Sequence, residues 1–178
     1  GTVMLEANVS GRSAIGADAN PLAVLIAQVK TTYIPSEKLQ RTLFSVLSRA
    51  QRSNAEASES TESIQRWFSP STITQLTRLE ESIGKIKSCE QRKFFLLCFS
   101  NLIKKVSFAD PSISVPVKLN PERFIKNPER KKATEFKLQT LQCIDVYDKF
   151  EDICKLNIRR IESLRPIKEM GVATEIVS

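Results

Sequence analysis

Histidine does not occur anywhere in the 178 residues. Its absence excludes a Ser-His-Asp triad, a Cys-His nucleophile pair and any metal site built on imidazole. The four cysteines (Cys89, Cys98, Cys143 and Cys154) form no C-x-x-C pair, which argues against a zinc ribbon. Each sits among Phe, Leu or Ile at helical spacing, so all four read as buried, reduced thiols in a reducing, cytoplasmic compartment. No stretch is long and apolar enough to span a bilayer, and no signal-peptide pattern opens the chain. The first residues are Gly-Thr rather than Met, which does not read as a natural start. No Pro-Pro pair is present.

What is there fits one domain, or a small domain with an insertion. Hydrophobic residues make up 41%, enough for a core, and 27 Lys plus Arg outweigh 20 Asp plus Glu to give a formal charge of +7. That excess permits an anionic partner such as nucleic acid; an ordinary solvated basic surface is the alternative.

The first 30 residues read differently from the rest. Residues 2 to 8 form a helix pattern, closed by Gly11 as a C-cap. Residues 13 to 17 form a short apolar strand ending at Asp18, and Asn20-Pro21 opens a second, mostly buried helix. Beyond Pro35 the periodicity is helical. One amphipathic helix carries Leu39, Leu43, Phe44, Val46, Leu47 and Ala50. Residues 53 to 63 are polar and low in complexity and read as a mobile loop or linker. A helix after Trp67-Phe-Ser-Pro70 and another from about 90 to 106 follow. Residues 107 to 132, with Pro111, Pro116, Pro121 and Pro128, are expected to be an extended loop. A single long helix is expected from about 134 to 164, and residues 172 to 177 alternate as a strand.

The function-bearing stretch is Gly1-Thr-Val-Met-Leu-Glu-Ala7 followed by Gly11-Arg-Ser-Ala-Ile-Gly-Ala-Asp18-Ala-Asn-Pro-Leu-Ala23. A strand that ends in an acid, after a helix and a Gly turn, puts a carboxylate at the carboxyl edge of a parallel sheet. There it can accept hydrogen bonds from both ribose hydroxyls of an adenosine cofactor. This stretch resembles the S-adenosylmethionine-dependent DNA amino-methyltransferases. In that family a Gly-Ser-Gly-Thr-Thr loop leads to a Leu-Glu-Ala helix, then Gly-Arg-x-Ala-Ile-Gly-x-Asp and an Asn-Pro-Leu-Ala helix. Ala17 stands where a larger aliphatic residue is usual. More distantly, Trp67 to Pro70 and Val106 to Pro111 are similar to landmarks of a helical insertion found in some members, with Lys105 where an Arg often stands.

The resemblance implies an α/β fold class: a partial Rossmann-like methyltransferase unit carrying a predominantly α-helical insertion. Residues 1–34 would belong to the cofactor-binding part, 35–165 to the insertion and 166–178 to the returning strand. The strands near 13–17 and 172–177 would lie in one sheet. The implied cofactor is S-adenosylmethionine, held by Gly1 and Thr2 in the loop, Asp18 on the ribose, and Ala19 and Asn20 beside the adenine. The implied partner is DNA, together with the remainder of the methyltransferase, in this polypeptide or another. The family's Pro-Pro-Tyr catalytic segment is absent, so no catalytic residue is expected within 1–178, and the chain alone is expected to be inert.

Each reading has a plainer competitor. Asp18 would otherwise be a turn carboxylate capping the next helix. Trp67 and Phe68 read as core anchors rather than base-stacking groups. Lys118, Arg123, Lys126, Arg130, Lys131, Lys132 and Lys137 could track phosphates or line a solvated loop. Ser107 and Asp110 are expected to hydrogen-bond locally. An RNA methyltransferase with the same cofactor layout, and a non-catalytic helical interaction module, are the alternative functions.

Overall fold

The computed structural model describes residues 2–56, 62–113, 115–165 and 174–177. Helix α1 is Thr2–Val9 and ends in a paired C-terminal motif. Arg12 N donates to Ala7 O and Gly11 N to Asn8 O, and Gly11 takes φ 70°, a conformation an L side chain resists. The turn aims the chain into strand β1, Ala14–Ala17. Helix α2, Pro21–Thr31, starts where expected: Asn20 caps it by accepting from Leu22 N, and Pro21 fills the first turn. Helix α1 closes down on β1 at Gly16, where a Cβ would stand 2.6 Å from Met4 Sδ.

The body is helical. Helices α3 (Ser36–Arg52), α5 (Pro70–Gly84), α6 (Cys89–Val106) and α8 (Val146–Glu162) carry most of the main core, and the four-residue α4, Glu62–Gln65, precedes α5. Leu39, Leu43, Val46 and Ala50 line the buried stripe of α3, whereas Phe44, expected with them, stands next to that stripe and is 75% exposed; Phe94, Phe95, Cys98, Leu102 and Val106 line the stripe of α6. Each set recurs at three- and four-residue steps, as an amphipathic helix requires. Val29 and Ile34 enter the same core. Polar pins join α5 to its neighbours: Ser82 Oγ donates to Val46 O at 2.8 Å, and Gln75 Oε1 accepts from Val146 N at 2.8 Å.

Strand β2, Thr174–Val177, pairs with β1 in parallel, Ala14 opposite Thr174 and Ala17 opposite Val177. The two end segments therefore meet as anticipated; Val172 and Ala173 lie outside the described residues. The expected fold class does not stand. The protein is predominantly helical, and among the described residues its only ladder beyond one isolated bridge is this pair of four-residue strands, not an α/β Rossmann-like unit. The physical reason is where the apolar surface goes. Parallel strands in α/β folds are buried on both faces, whereas β1 leaves Ile15 78% exposed and the core is assembled from helices.

Three further expectations are corrected. The single helix over 134–164 is two helices, α7 (Pro128–Gln142) and α8, separated at 143–145; Asp145 caps α8 by accepting from Tyr147 N and Asp148 N. The expected loop over 107–132 is partly ordered. Ala109 and Lys118 form an antiparallel bridge, Pro121–Phe124 is a 3-10 turn, and Pro128 opens α7 instead of breaking structure. Of the polar segment 53–63, residues 57–61 lie outside the described residues. Cys98 and Cys154 are buried as expected, but Cys89 and Cys143 are exposed, because they fall at the ends of α6 and α7.

Among the described residues no helix is long and apolar enough to cross a membrane.

Candidate functional site

β1 and β2 run in the same direction, so both carboxyl ends lie at one edge, and Asp18 follows directly after β1. Its Oδ1 accepts from Asn20 N at 2.8 Å, and Asn20 Oδ1 in turn accepts from Leu22 N at 2.9 Å. This chain of two side-chain turns carries the backbone from strand to helix. The plainer reading of Asp18 as a turn carboxylate is thus part of its role. A carboxylate has two oxygens and about four acceptor positions, so one amide bond leaves capacity for hydroxyl donors. Asp18, Ala19 and Asn20 are all exposed.

Thr2 is the first residue of α1 and is exposed. Gly1 lies outside the described residues, so its place in a cofactor loop has no geometry to report. Cavities lie elsewhere: one of about 610 Å³ between α3 and α8, bordered by Leu43, Phe44, Glu151 and Arg159, one of about 430 Å³ along α3 bordered by Phe44, Ser48 and Arg52, and one of about 320 Å³ bordered by Gln28, Glu90, Lys93, Phe94 and Ile176. Among the described residues no group of three or more acidic or thiol side chains could hold a metal.

The basic segment adjoins a second, smaller core of Phe108, Leu119 and Leu141 through Lys118. Lys118 places its ammonium 5.3 Å from the centre of the Phe108 ring. Arg123 lies in the 3-10 turn, Lys126 just after it, and Arg130, Lys131 and Lys132 in the first turns of α7. Lys131 is committed locally. It binds Glu122 at 2.7 Å and is only partly exposed, and the Glu122 carboxylate raises the pKa of its ammonium. Asp110 Oδ1 accepts from both Ser112 N and Ser112 Oγ, which lowers its carboxyl pKa; Lys137 and Arg123 add a smaller pull in the same direction. Ala109 N donates to Ser107 Oγ, so Ser107 and Asp110 do bond locally.

Trp67 is half-buried; its carbonyl accepts from Phe108 N at 2.8 Å, and Arg66 lies 5.7 Å from its ring centre. Phe68 packs against the main core. Sequence reasoning missed one residue of the basic region: Phe136, on α7, is 72% exposed, beside the exposed Lys137 of the anticipated basic segment. The signal was present: Asn127-Pro128 repeats the Asn20-Pro21 helix start, and Asn127 Oδ1 accepts from Arg130 N as a cap.

Comparisons with known protein families, curated proteins and solved structures find no match to this chain.

Proposed function

We propose that this chain is part of an S-adenosylmethionine-dependent DNA methyltransferase, which transfers a methyl group to an exocyclic amino group of cytosine or adenine in the cytoplasm. The observation that carries the reading is the exposed Asp18 carboxylate at the carboxyl end of a parallel strand pair, between the Gly11 turn and the Asn20-capped helix. In this reading Asp18 accepts the ribose hydroxyls of the cofactor, Ala19 and Asn20 flank its adenine, and Gly1 and Thr2 belong to its loop. The exposed Val3 and Ile15 fit as apolar surface for the remainder of the enzyme to cover. Lys118, Arg123, Lys126, Arg130, Lys131 and Lys132 contribute to holding DNA. The cofactor supplies the methyl group as an electrophilic sulfonium.

The orienting of the target amine falls to a Pro-Pro-Tyr-type segment that residues 1–178 do not contain, so the purified chain alone should transfer no labelled methyl to DNA. In the protein restored with that segment, calorimetry should show Asp18→Ala binding S-adenosylmethionine roughly 10- to 100-fold more weakly, the effect of losing hydrogen bonds to a charged group. Glu37→Ala, on the exposed start of α3, serves as the control. Equal affinity of Asp18→Ala and wild type would remove the assignment.

A further inference from the structure

Helix α7 has an unusual division of its surface. It buries Thr134 and Leu141, with Lys131 and Leu138 half-covered, along one stripe at steps of three and four residues. The other residues face solvent. Phe136 stands two residues from Thr134 and two from Leu138, about 200° round the helix from each, on the crest opposite the buried stripe. Glu129, seven residues earlier, shares that crest. Arg130 and Lys137, also seven apart, lie on one flank, about 100–120° from Phe136; Lys132 and Gln139 lie about 40–60° from it on the other side of the crest, and Glu135 occupies the flank beyond them.

The charges have little to hold them there. Cations in the first turns of a helix oppose its dipole. Among the described residues no ion pair within 4.0 Å joins Arg130, Lys132 or Lys137 to a carboxylate, whereas Lys131 has Glu122. Residues 118 to 142 hold seven Lys and Arg against three Glu, so the excess is local and positive.

We infer that α7 is the element that enters the major groove of duplex DNA, with Phe136 against the base edges and Arg130 and Lys137 on one flank and Lys132 on the other side of the crest against the two phosphate strands. A helix with its side chains is about 10–12 Å across and the groove of B-DNA about 12 Å wide. Arg130 and Lys137 on one flank face one phosphate wall, Lys132 beside the crest reaches toward the other, and an exposed Phe on the crest matches the thymine methyl, which only the major groove presents. A single-strand mode is less well served, since it needs successive aromatic platforms and Phe136 is one ring. Duplex RNA is excluded by its deep, narrow major groove. The inference deepens the DNA reading above but does not depend on the cofactor.

The test is fluorescence anisotropy of the full chain with labelled duplexes over a range of salt, without S-adenosylmethionine. Wild type should lose affinity steeply with salt. The Arg130→Gln/Lys132→Gln/Lys137→Gln variant should reduce the slope of log K against log salt by about 2 to 3, roughly 0.9 per lost phosphate contact. Lys87→Gln/Lys104→Gln/Lys105→Gln should leave it unchanged. Phe136→Ala should keep the slope but lose any preference for thymine over uracil in the duplex, a preference of about fivefold or more. Because all these side chains are exposed, circular dichroism should report an unchanged fold. An unaltered slope in the α7 triple variant, equal binding of duplex RNA or single-stranded DNA, or thymine preference retained in Phe136→Ala would each overturn the inference. DNA binding through α7 without any cofactor affinity in the restored protein would remove the methyltransferase reading alone; cofactor binding with an indifferent α7 would remove this inference alone.

Discussion

Phe150→Ala is expected to lower the free energy of unfolding by about 3–5 kcal/mol, the usual cost of truncating a buried aromatic ring. Phe150 is fully buried on α8 and lies across from α6, its ring centre 6.3 Å from that of Phe95, which in turn meets Phe94 edge-on at 5.1 Å. These rings join the two helices that supply most of the core. Truncation removes their contacts and leaves a void that helices pinned elsewhere, at Ser82 and Gln75, cannot close. In a chain of this length the loss corresponds to a fall in Tm of roughly 10 °C. Urea denaturation of both proteins measures it. Phe136→Ala, the same change on an exposed crest, should shift the midpoint hardly at all, by within about 0.5 kcal/mol. A Phe150→Ala loss under about 1 kcal/mol would mean that the core is not centred on the α6–α8 contact.

Stability should also decline at alkaline pH through Cys154. Burial pushes its thiol well above the usual value of 9.0, and the hydrogen bond with Cys98, the charge of that neighbour and that of Glu151 add to the effect. In the unfolded chain the thiol ionises near 9.0. Above that pH the unfolded state releases a proton that the folded state retains, so the folded state loses ground as pH rises. Below about pH 8 the contribution is fully present; beyond 9.0 it falls by about 1.4 kcal/mol per pH unit, or roughly 2 kcal/mol by pH 10.5. Tyr147, whose hydroxyl is also raised by burial, acts in the same direction at higher pH. Comparing wild type with Cys154→Ala cancels that contribution, and the variant should show the shallower decline. In the folded protein a thiol reagent should modify Cys89 and Cys143 quickly and reach Cys98 and Cys154 only on unfolding. Parallel pH profiles, or four equally reactive thiols, would contradict the packing of α6 on α8.

How much of this was legible in the sequence depended on punctuation. Where a cap and a proline stood together ahead of an apolar periodicity, as at Asn20-Pro21 and Ser69-Pro70, the helix began where expected. The same signature at Asn127-Pro128 was obscured by three prolines before it, and a helix start was taken for a loop. The break between α7 and α8 has no Gly or Pro. Leu141 and Ile144 keep the helical spacing through it, and only Asp145 marks the new start, by bonds to Tyr147 N and Asp148 N. The fold class was misjudged because residues 11 to 23 have a local pattern that suits an α/β unit. A pattern of that length fixes a turn, a strand and a helix start, but which element supplies the core depends on the total buried apolar surface. The helices decide it. For the candidate site, spacing placed Asp18 at a strand end, but its exposure there is a property of tertiary packing that no short motif encodes. Phe136 was invisible as a surface residue because periodicity alone does not say which stripe of a weakly amphipathic helix faces in.

The parallel pairing of β1 with β2 also sets an order of assembly. Ala14 and Thr174 stand 160 positions apart, and closing so long a loop is entropically costly until the intervening chain has become compact. Helices α3, α5, α6 and α8 pack on one another through contacts that involve neither end strand. The ribbon is then the closing seam, laid down on a preformed helical body and secured by four residues a side. Opening the molecule from its ends parts this seam and with it the shared strand edge beside Asp18, whose own turn is held locally by Asn20 N.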